Sequence, residues 1–225
     1  MTFEIKKGTY KGAFFMLTDS NKLLAIDLLE AIKFFNLKGW SPATSTNYSV
    51  RSNNPLEYII SRSGIDKSKI VIADLILINS KAEVLAPFNY PGIKSSAETE
   101  IHTHLYQKYP DINCVLHTHS VLGTVLSKTH LKEKELRFEG FEIQKGLEGN
   151  MTHELESILP IVPNSQVMSE ILKSMNNHLN EKPSIHGFLI AGHGLYTWGK
   201  DIATAKRHIE TYEFLFECLQ TMRKI

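Results

Sequence analysis

The sequence has few cysteines and no long apolar run. Cys114 and Cys218 are its only cysteines, and they form neither a CxxC pair nor a ladder of spacings. This scarcity is typical of a reducing compartment, where free thiols pack as small apolar groups. No stretch of eighteen apolar residues occurs, and residues 1–7 lack the apolar core of a secretory signal. We therefore expect a cytoplasmic protein without disulfides or a membrane span.

An excess of either charge is also missing. The chain carries 25 basic and 24 acidic residues, a net charge of +1. This balance excludes the basic surface that binds a nucleic-acid backbone or anionic lipid, so we expect a small molecule as partner. The 225 residues contain no internal repeat or linker and suffice for one substantial core. The sequence predicts a single domain over residues 1–225.

The hydrophobic pattern predicts alternating helices and strands. Apolar residues recur at helical spacing over residues 19–37, with Thr18 or Ser20 as the cap and Gly39 as the terminator. Further helices are predicted over 96–109, 121–131, 166–179 and 201–222. Strands are predicted over 48–51, 58–60, 70–78, 114–119, 136–138, 158–162, 188–190 and 195–198. The pattern indicates an α/β fold, with a central, mainly antiparallel sheet sandwiched between helices.

Three histidines stand out from this pattern. His117 and His119 follow an apolar run, and His193 lies between Gly192 and Gly194 about seventy residues later. Side chains two apart in a strand project from the same face, so His117 and His119 can bind one ion together. A third imidazole leaves one tetrahedral position open, as a catalytic zinc requires. His102 and His104 are also two apart, but a helix would separate them by about 200° and exclude a second site.

Five motifs occur in an order that resembles the class II aldolase and adducin family. The motifs are residues 44–51, residues 61–64, residues 94–99, residues 117–120, and residues 192–194 together with 198–199. The resemblance runs from about residue 20 to residue 220 and implies the class II aldolase-like fold. Within the family, residues 96–99, 142–146 and 160–164 are most similar to the dehydratase branch that serves methionine salvage.

The resemblance implies roles for individual residues. His117, His119 and His193 are implied to bind one Zn²⁺. Hydroxyls and backbone amides of three loops are implied to bind the substrate phosphate; the residues concerned are Thr44, Asn47, Ser63, Gly64 and Ser96. The chain departs from the aldolases by having Ala97 after Ser96, and Ser45-Thr46 before Asn47 where two glycines are usual. The anion site survives these changes because backbone N–H donors do not depend on side chains.

Two glutamates are implied to carry the proton transfers. The family's aldolases use a glutamate matching Glu98, and its dehydratases use one matching Glu142. We assign Glu142 as catalytic acid and base, and Glu98 as a second catalytic carboxylate beside the substrate or metal. By its position alone, Glu98 would be a helix-terminus residue and Glu142 a solvated turn residue.

The resemblance therefore implies a zinc-dependent lyase that removes water from a methylthio-substituted ketose 1-phosphate. It also implies a homo-oligomer, because family relatives usually form symmetric tetramers. An aldolase or epimerase acting on a sugar phosphate is the nearest alternative. An adducin-like binding module without catalysis is the other, although the three histidines and two glutamates weigh against it.

Overall fold

The computed structural model describes residues 12, 15, 17–181 and 185–223. The expectation about a signal sequence in residues 1–7 lies outside the described residues. The chain divides into two compact units, Met1–Pro110 and Asp111–Ile225. The single domain predicted over residues 1–225 stays a prediction.

The first unit combines two helices with a three-stranded sheet. Helix α1 (Asp19–Leu37) precedes strands β1 (Asn47–Arg51), β2 (Glu57–Ser61) and β3 (Leu75–Asn79), and helix α2 (Thr99–Lys108) follows. The strand order is β3-β2-β1 and both pairings are antiparallel, with Val50 opposite Ile59 and Ile59 opposite Leu77. Both sides of β2 and β3 are buried, which explains the apolar runs over residues 58–60 and 75–78 within them.

The bounds of α1 agree with the prediction. The Thr18 hydroxyl accepts a hydrogen bond from the Asn21 amide at 3.3 Å, so Thr18 is the N-cap. Beyond the other end, Gly39 adopts a φ of +76°, the left-handed conformation that ends helices. Leu28, Ile32 and Phe35 lie on the buried face of the helix.

Two predicted elements of this unit are shorter in the structure. The strand predicted over 70–78 begins only at Leu75, because Ile72–Asp74 forms a 3₁₀ turn. The Asp74 carboxylate closes that turn by accepting from the Val71 amide at 3.0 Å. The helix predicted from Ser96 begins at Thr99, and the Ser96 hydroxyl instead accepts from the Glu98 amide at 3.3 Å.

The second unit is built around a five-stranded sheet. Its elements are β4 (Cys114–Thr118), α3 (Val121–Thr129), β5 (Glu135–Phe138), β6 (Ser157–Val162), α4 (Met168–Glu181), β7 (Gly187–Ile190), β8 (Gly194–Gly199) and α5 (Ile202–Met222). The strand order is β4-β8-β7-β6-β5, and only the β6–β7 pairing is parallel. Helix α5 packs on β8 and α3, and its Tyr212 and Phe216 lie near Phe138 in the core.

Both units join helices to mainly antiparallel strands, which confirms the predicted α/β class. Cys114 is buried in β4 and Cys218 lies on α5, and both are free thiols. Among the described residues, every helix is too short or too polar to cross a membrane.

Candidate metal centre and anion-binding loops

The end of β4 and the turn between β7 and β8 bring three histidines together. His117 belongs to β4, His119 follows that strand by one residue, and His193 lies in the hairpin turn. One ring nitrogen from each lies within 4.8 Å of the other two. The Nε2 atoms of His117 and His119 are 2.7 Å apart. Below, these three residues are called the histidine cluster.

Neighbouring groups orient the first of these imidazoles. His117 Nδ1 donates to the Leu195 carbonyl at 3.0 Å, and the His117 ring is buried. The ring also stacks on Tyr196, with centroids 3.9 Å apart. A proton fixed on Nδ1 leaves the lone pair of Nε2 directed at the cluster, which is how carbonyl partners prepare metal-binding histidines.

The hairpin turn is held so that its histidine faces the other two. The Gly192 amide donates to Ser127 Oγ at 3.0 Å, and Thr124 Oγ1 donates to the His193 carbonyl at 2.9 Å, so α3 anchors the turn. A Cβ on Gly194 would lie 2.2 Å from the Thr118 carbonyl oxygen and 2.8 Å from His119 Cδ2. Only glycine therefore permits this approach of the hairpin to β4.

The donor set fits a metal ion. Zinc binds imidazole nitrogens at about 2.0–2.1 Å, so nitrogens that share one ion lie at most about 4 Å apart. The cluster already meets nearly this condition, and its nitrogens would repel one another without a proton or a cation between them. Among the residues that the structure describes, no other three histidine, cysteine or acidic side chains converge in this way.

A buried glutamate supports the start of α3 beside the cluster. Ser120, next to His119, is the N-cap of α3 and accepts from the Gly123 amide at 2.9 Å. Its hydroxyl also hydrogen-bonds the carboxyl of Glu213 on α5. Burial raises the pKa of Glu213 to about 8. This carboxyl is therefore largely protonated at neutral pH, because burial outweighs the hydrogen bond from Ser120, which lowers the pKa.

The residues predicted to bind phosphate lie in three loops of the first unit. Thr44 is exposed in the loop leading into β1, and Asn47 is buried as the first residue of that strand. Ser63 and Gly64 follow β2, and Gly64 has a φ of +73°. Ser96 precedes α2 and is partly exposed. Residues 44–47, 63–65 and 94–98 are called the polar loops below.

Hydrogen bonds tie the polar loops to one another. Lys67 Nζ donates to the Ser45 and Ile65 carbonyls, both at 3.0 Å, and so joins the first loop to the second. The Ser63 amide donates to the Lys94 carbonyl at 2.9 Å, joining the second loop to the third. The structure thus brings together the three segments that the sequence predicts as one anion site.

Lys67 was not predicted as a functional residue. Its side chain is buried, and this burial lowers its pKa to about 8. The ammonium group therefore remains charged at neutral pH, and it adds positive potential to loops rich in N–H donors. A lysine between polar residues gives no periodic signal, because its burial depends on the fold of both loops.

Glu98 lies in a chain of side-chain hydrogen bonds. Asn47 Nδ2 donates to Glu98 Oε2, and His102 Nε2 donates to Asn47 Oδ1, each at 2.5 Å. The oxygen and one N–H of the Asn47 side chain thus bond to protein partners. Only its second N–H is left for the predicted contact with phosphate. The sequence predicts no site role for His102, since its helix separates it from His104. Its four-residue spacing from Glu98 along the chain is the sequence signal for this contact.

Glu142 has different surroundings. It opens a 3₁₀ turn, Glu142–Gly146, and its side chain is 71% exposed. Lys145 Nζ donates to its Oε1 at 2.6 Å, and His153 Nδ1 lies 3.4 Å from its Oε2. The hydrogen bond from Lys145 lowers the pKa of Glu142. In the isolated chain, Glu142 is therefore a solvated carboxylate, whereas catalysis in a dry pocket would raise its pKa.

Other residues of the Glu142 turn have structural roles. The buried Gln144 accepts from the Phe141 amide and donates to the Phe138 and Leu155 carbonyls, at 2.9 to 3.0 Å. A Cβ on Gly146 would lie 2.2 Å from Thr211 Oγ1, so this turn packs closely on α5. The turn holds Glu142 on a fixed backbone even though the carboxylate itself is exposed.

The fold and the histidine cluster together define an α/β protein with a candidate mononuclear metal centre. The chain belongs to the class II aldolase and adducin family, because the family profile described as Class II Aldolase and Adducin N-terminal domain matches residues 26–220. This confirms the family predicted from the five motifs.

Individual relatives agree with this membership. The methylthioribulose-1-phosphate dehydratase of Enterobacter sp. (strain 638) is 41% identical over 209 residues, which are 93% of this chain and 98% of the relative. That of Picosynechococcus sp. (strain ATCC 27264 / PCC 7002 / PR-6) is 43% identical over 198 residues, 88% and 92% of the two chains. These similarities confirm the predicted resemblance to the family's dehydratases.

A solved structure supports the fold. The L-fuculose-1-phosphate aldolase from Thermus Thermophilus has a TM-score of 0.69 with this chain at 22% identity, covering 89% of this chain and 95% of its own. The predicted class II aldolase-like fold is therefore confirmed.

Proposed function

We propose that the protein is a hydro-lyase that converts 5-methylthioribulose 1-phosphate into 2,3-diketo-5-methylthiopentyl 1-phosphate, a step of methionine salvage. One observation carries the proposal. Relatives with this activity in their names are 37–43% identical over most of the chain. The convergence of the three imidazoles in the histidine cluster supports a metal site for such a reaction.

Zn²⁺ is the proposed metal, one ion per subunit, held by His117, His119 and His193. Three neutral imidazoles with one open position suit zinc better than an oxygen-loving cation. When bound, zinc would polarise the carbonyl and hydroxyl oxygens of the ketose and so acidify the proton on C3. The hydrogen bond from His117 Nδ1 to Leu195 would keep the ligand nitrogen unprotonated for this purpose.

Glu142 is the proposed acid and base. Its lowered pKa means that the carboxylate is ionised at neutral pH and can accept the C3 proton. The electron pair of the C3–H bond then forms the C3–C4 double bond, and the C4 hydroxyl leaves as water after receiving a proton from a carboxylic acid. Ketonisation of the resulting enol yields the diketone. Glu98 is the proposed second carboxylate at the substrate.

The polar loops are the proposed phosphate site. Thr44, Ser63 and Ser96 offer hydroxyls, Gly64 offers a backbone amide, and Asn47 offers its remaining amide hydrogen. The nearby charge of Lys67 favours the same anion. Phosphate binding would orient the ketose for the proton transfers and supply binding energy remote from the reacting carbons.

A cytoplasmic homotetramer is proposed as the working form. The support is the family resemblance together with the scarcity of cysteine. The exposed carboxylate of Glu142 is compatible with this proposal, because a subunit contact or the substrate could remove water from it.

Product identification tests the proposed reaction. The zinc-loaded protein is incubated with 5-methylthioribulose 1-phosphate, and we expect the diketone with loss of one water. Formation of dihydroxyacetone phosphate would support the aldolase alternative instead. A purified protein that takes up no stoichiometric divalent metal would favour the binding-module alternative.

The Glu142→Gln variant tests the acid–base assignment. We expect kcat to fall roughly 10²- to 10⁴-fold, because the amide cannot take up a proton. Glu139→Gln, which alters an exposed glutamate three residues earlier, is the matched control and should retain full activity. Near-normal turnover of Glu142→Gln would move the role to Glu98.

A further inference from the structure

We propose that His102 is a positioning residue that acts through Asn47 to hold the Glu98 carboxylate ionised and fixed in direction. The inference deepens the proposed function, because it depends on Glu98 serving as a carboxylate at the substrate. His102 itself touches neither metal nor substrate in this proposal.

The backbone places these residues opposite one another. Asn47 and Ser49 are two apart in β1, so their side chains share one face of the strand. Glu98, at the N-cap of α2, is followed at intervals of four by His102 and Tyr106. Residues four apart in a helix lie on one face, so α2 presents three polar groups in a row to β1.

The contacts form one continuous chain. The Tyr106 hydroxyl lies 2.9 Å from Ser49 Oγ, and Ser49 Oγ lies 2.7 Å from His102 Nδ1. His102 Nε2 lies 2.5 Å from Asn47 Oδ1, and Asn47 Nδ2 donates to Glu98 Oε2 at 2.5 Å. Four hydrogen bonds thus lead from a buried phenol to a partly exposed carboxylate.

The direction of the donors follows from the chemistry of each group. A neutral imidazole has one N–H donor and one acceptor nitrogen. If Nε2 donates to Asn47 Oδ1, then Nδ1 must accept from the Ser49 hydroxyl, whose oxygen is left to accept from Tyr106. The Asn47 amide is then oriented with its NH₂ group towards Glu98. Each donor has one acceptor, and the chain ends on an oxygen that can only accept.

The reverse direction would require a different state of Glu98. A flipped Asn47 amide would place its oxygen against Glu98 Oε2 at 2.5 Å, and this contact is acceptable only if Glu98 carries a proton. The direction of this series of hydrogen bonds therefore differs between the ionised and the protonated state of Glu98. Burial keeps His102 neutral by lowering its pKa to about 3, so its single N–H remains available to set the direction.

A purely packing role would not require this arrangement. His102 is fully buried, and an aliphatic side chain would fill the same volume without two hydrogen-bonded nitrogens that need matching partners. His104, on the same helix but two residues on, is only partly buried. It provides a matched control for the loss of an imidazole from α2.

The first experiment measures kcat, KM and the pH profile of the dehydration. We expect His102→Leu to lower kcat about tenfold, with KM within threefold, and to move the acidic limb of kcat/KM to higher pH by at least half a unit. His102→Gln, whose amide can still donate to Asn47, should recover most of kcat. His104→Leu should match the parent protein.

The second experiment measures the pKa of Glu98 directly and does not depend on enzyme activity. Carbon-detected NMR titration of the side-chain carboxyls, with the Glu98 signal assigned by its loss in Glu98→Gln, gives the pKa of Glu98 in each variant. We expect Asn47→Asp and His102→Leu to raise this value by at least half a unit, while His104→Leu leaves it unchanged. Calorimetry on the same samples reports the folded fraction.

The outcomes separate this inference from the proposed function. An unchanged pKa of Glu98 in folded His102→Leu would overturn the positioning role. A raised pKa together with full activity of Glu98→Gln would support the positioning role and remove Glu98 from the proposed reaction. A loss of kcat that merely follows the folded fraction, with an unchanged pH profile, would leave His102 a packing residue.

Discussion

The histidine cluster and the polar loops are both sites for ligands, but different forces hold them. The histidine cluster depends on backbone geometry, since a strand end, a tight hairpin and a glycine without room for a Cβ set its shape. The polar loops depend more on side chains, since Lys67 joins the first loop to the second, and Asn47, at the start of β1, donates to Glu98 in the third. A metal tolerates little variation in ligand position, whereas an anion can be bound by several arrangements of N–H donors.

The largest effect is expected from Gly194→Ala, which tests the backbone side of this comparison. The added methyl group would lie 2.2 Å from the Thr118 carbonyl and would force the hairpin away from β4. We expect zinc affinity to fall at least ~100-fold. Metal content after dialysis at fixed free zinc measures this.

Gly140→Ala is the control for that substitution. Gly140 has a positive φ, +82°, but nothing lies within 4 Å of an added Cβ. Alanine at this position therefore has an unfavourable backbone conformation but collides with no neighbouring atom. If both variants lost zinc equally, general destabilisation rather than the close approach of the hairpin to β4 would explain the loss.

Removal of zinc should have the next largest effect. Its effect on Tm should depend on an intact histidine cluster. A ligand that binds only the folded state at 100 times its Kd stabilises it by about 2.7 kcal/mol. For a chain of this size, we expect chelation to lower Tm by about 5–10 °C. The Gly194→Ala variant should show almost no change on chelation, as measured by differential scanning calorimetry.

Lys67→Met tests the side-chain part of the comparison. The methionine fills the volume of the lysine stem but leaves the Ser45 and Ile65 carbonyls without their donor. We expect KM for the phosphorylated substrate to rise roughly tenfold, because charged hydrogen bonds contribute about 1.5–3 kcal/mol. The variant should bind zinc as the parent protein does.

The pH dependence of KM provides a second test of Lys67. Its pKa of about 8 means that the positive charge disappears as the pH rises through 8, so anion binding should weaken there. This increase in KM should vanish in Lys67→Met. Lys69→Met, which removes a lysine whose side chain is 84% exposed, should preserve it.

The smallest effect on zinc and substrate binding is expected at Glu213, whose neighbour Ser120 follows His119 of the histidine cluster. The pKa of the Glu213 carboxyl is raised to about 8 in the folded state. The folded protein therefore loses stability as the pH rises from the pKa of this group in the unfolded chain to about 8. Glu213→Gln cannot ionise, so we expect its Tm, measured by differential scanning calorimetry, to exceed that of the parent protein at pH 8 but not at pH 5.

Glu210→Gln serves as the control on the same helix, since Glu210 is exposed. Its Tm difference from the parent protein should not depend on pH between 5 and 8. A Glu213→Gln variant that is less stable at both pH values would show that the hydrogen bond to Ser120 outweighs the cost of ionisation.

Local pattern was enough to locate most elements. The helix over 19–37 agrees with α1 at both ends, because its cap, apolar spacing and terminal glycine all lie within one segment. The prediction of a strand over 70–78 was wrong at its start, because the Asp74 carboxylate closes a 3₁₀ turn there. Apolar residues alone do not distinguish such a turn from a strand.

The candidate site was predictable to different degrees. His117 and His119 share a face because a strand alternates, and His193 could be added from its glycines and the family resemblance. The surroundings of Glu98 and Glu142 could not be read in this way. Asn47 and His102 are 55 residues apart in the chain, and the exposure of Glu142 depends on how its turn packs on α5.

The sequence by itself determined the α/β class, the three histidines and the pair of glutamates, because each rests on short-range periodicity or on motifs contiguous in the chain. Only the tertiary structure decided that Lys67 is a buried cation between two loops and that His102 completes a chain ending on Glu98. These properties arise from burial and from contacts between distant segments. Desolvation and hydrogen-bond direction depend on those contacts and leave no local pattern in the sequence.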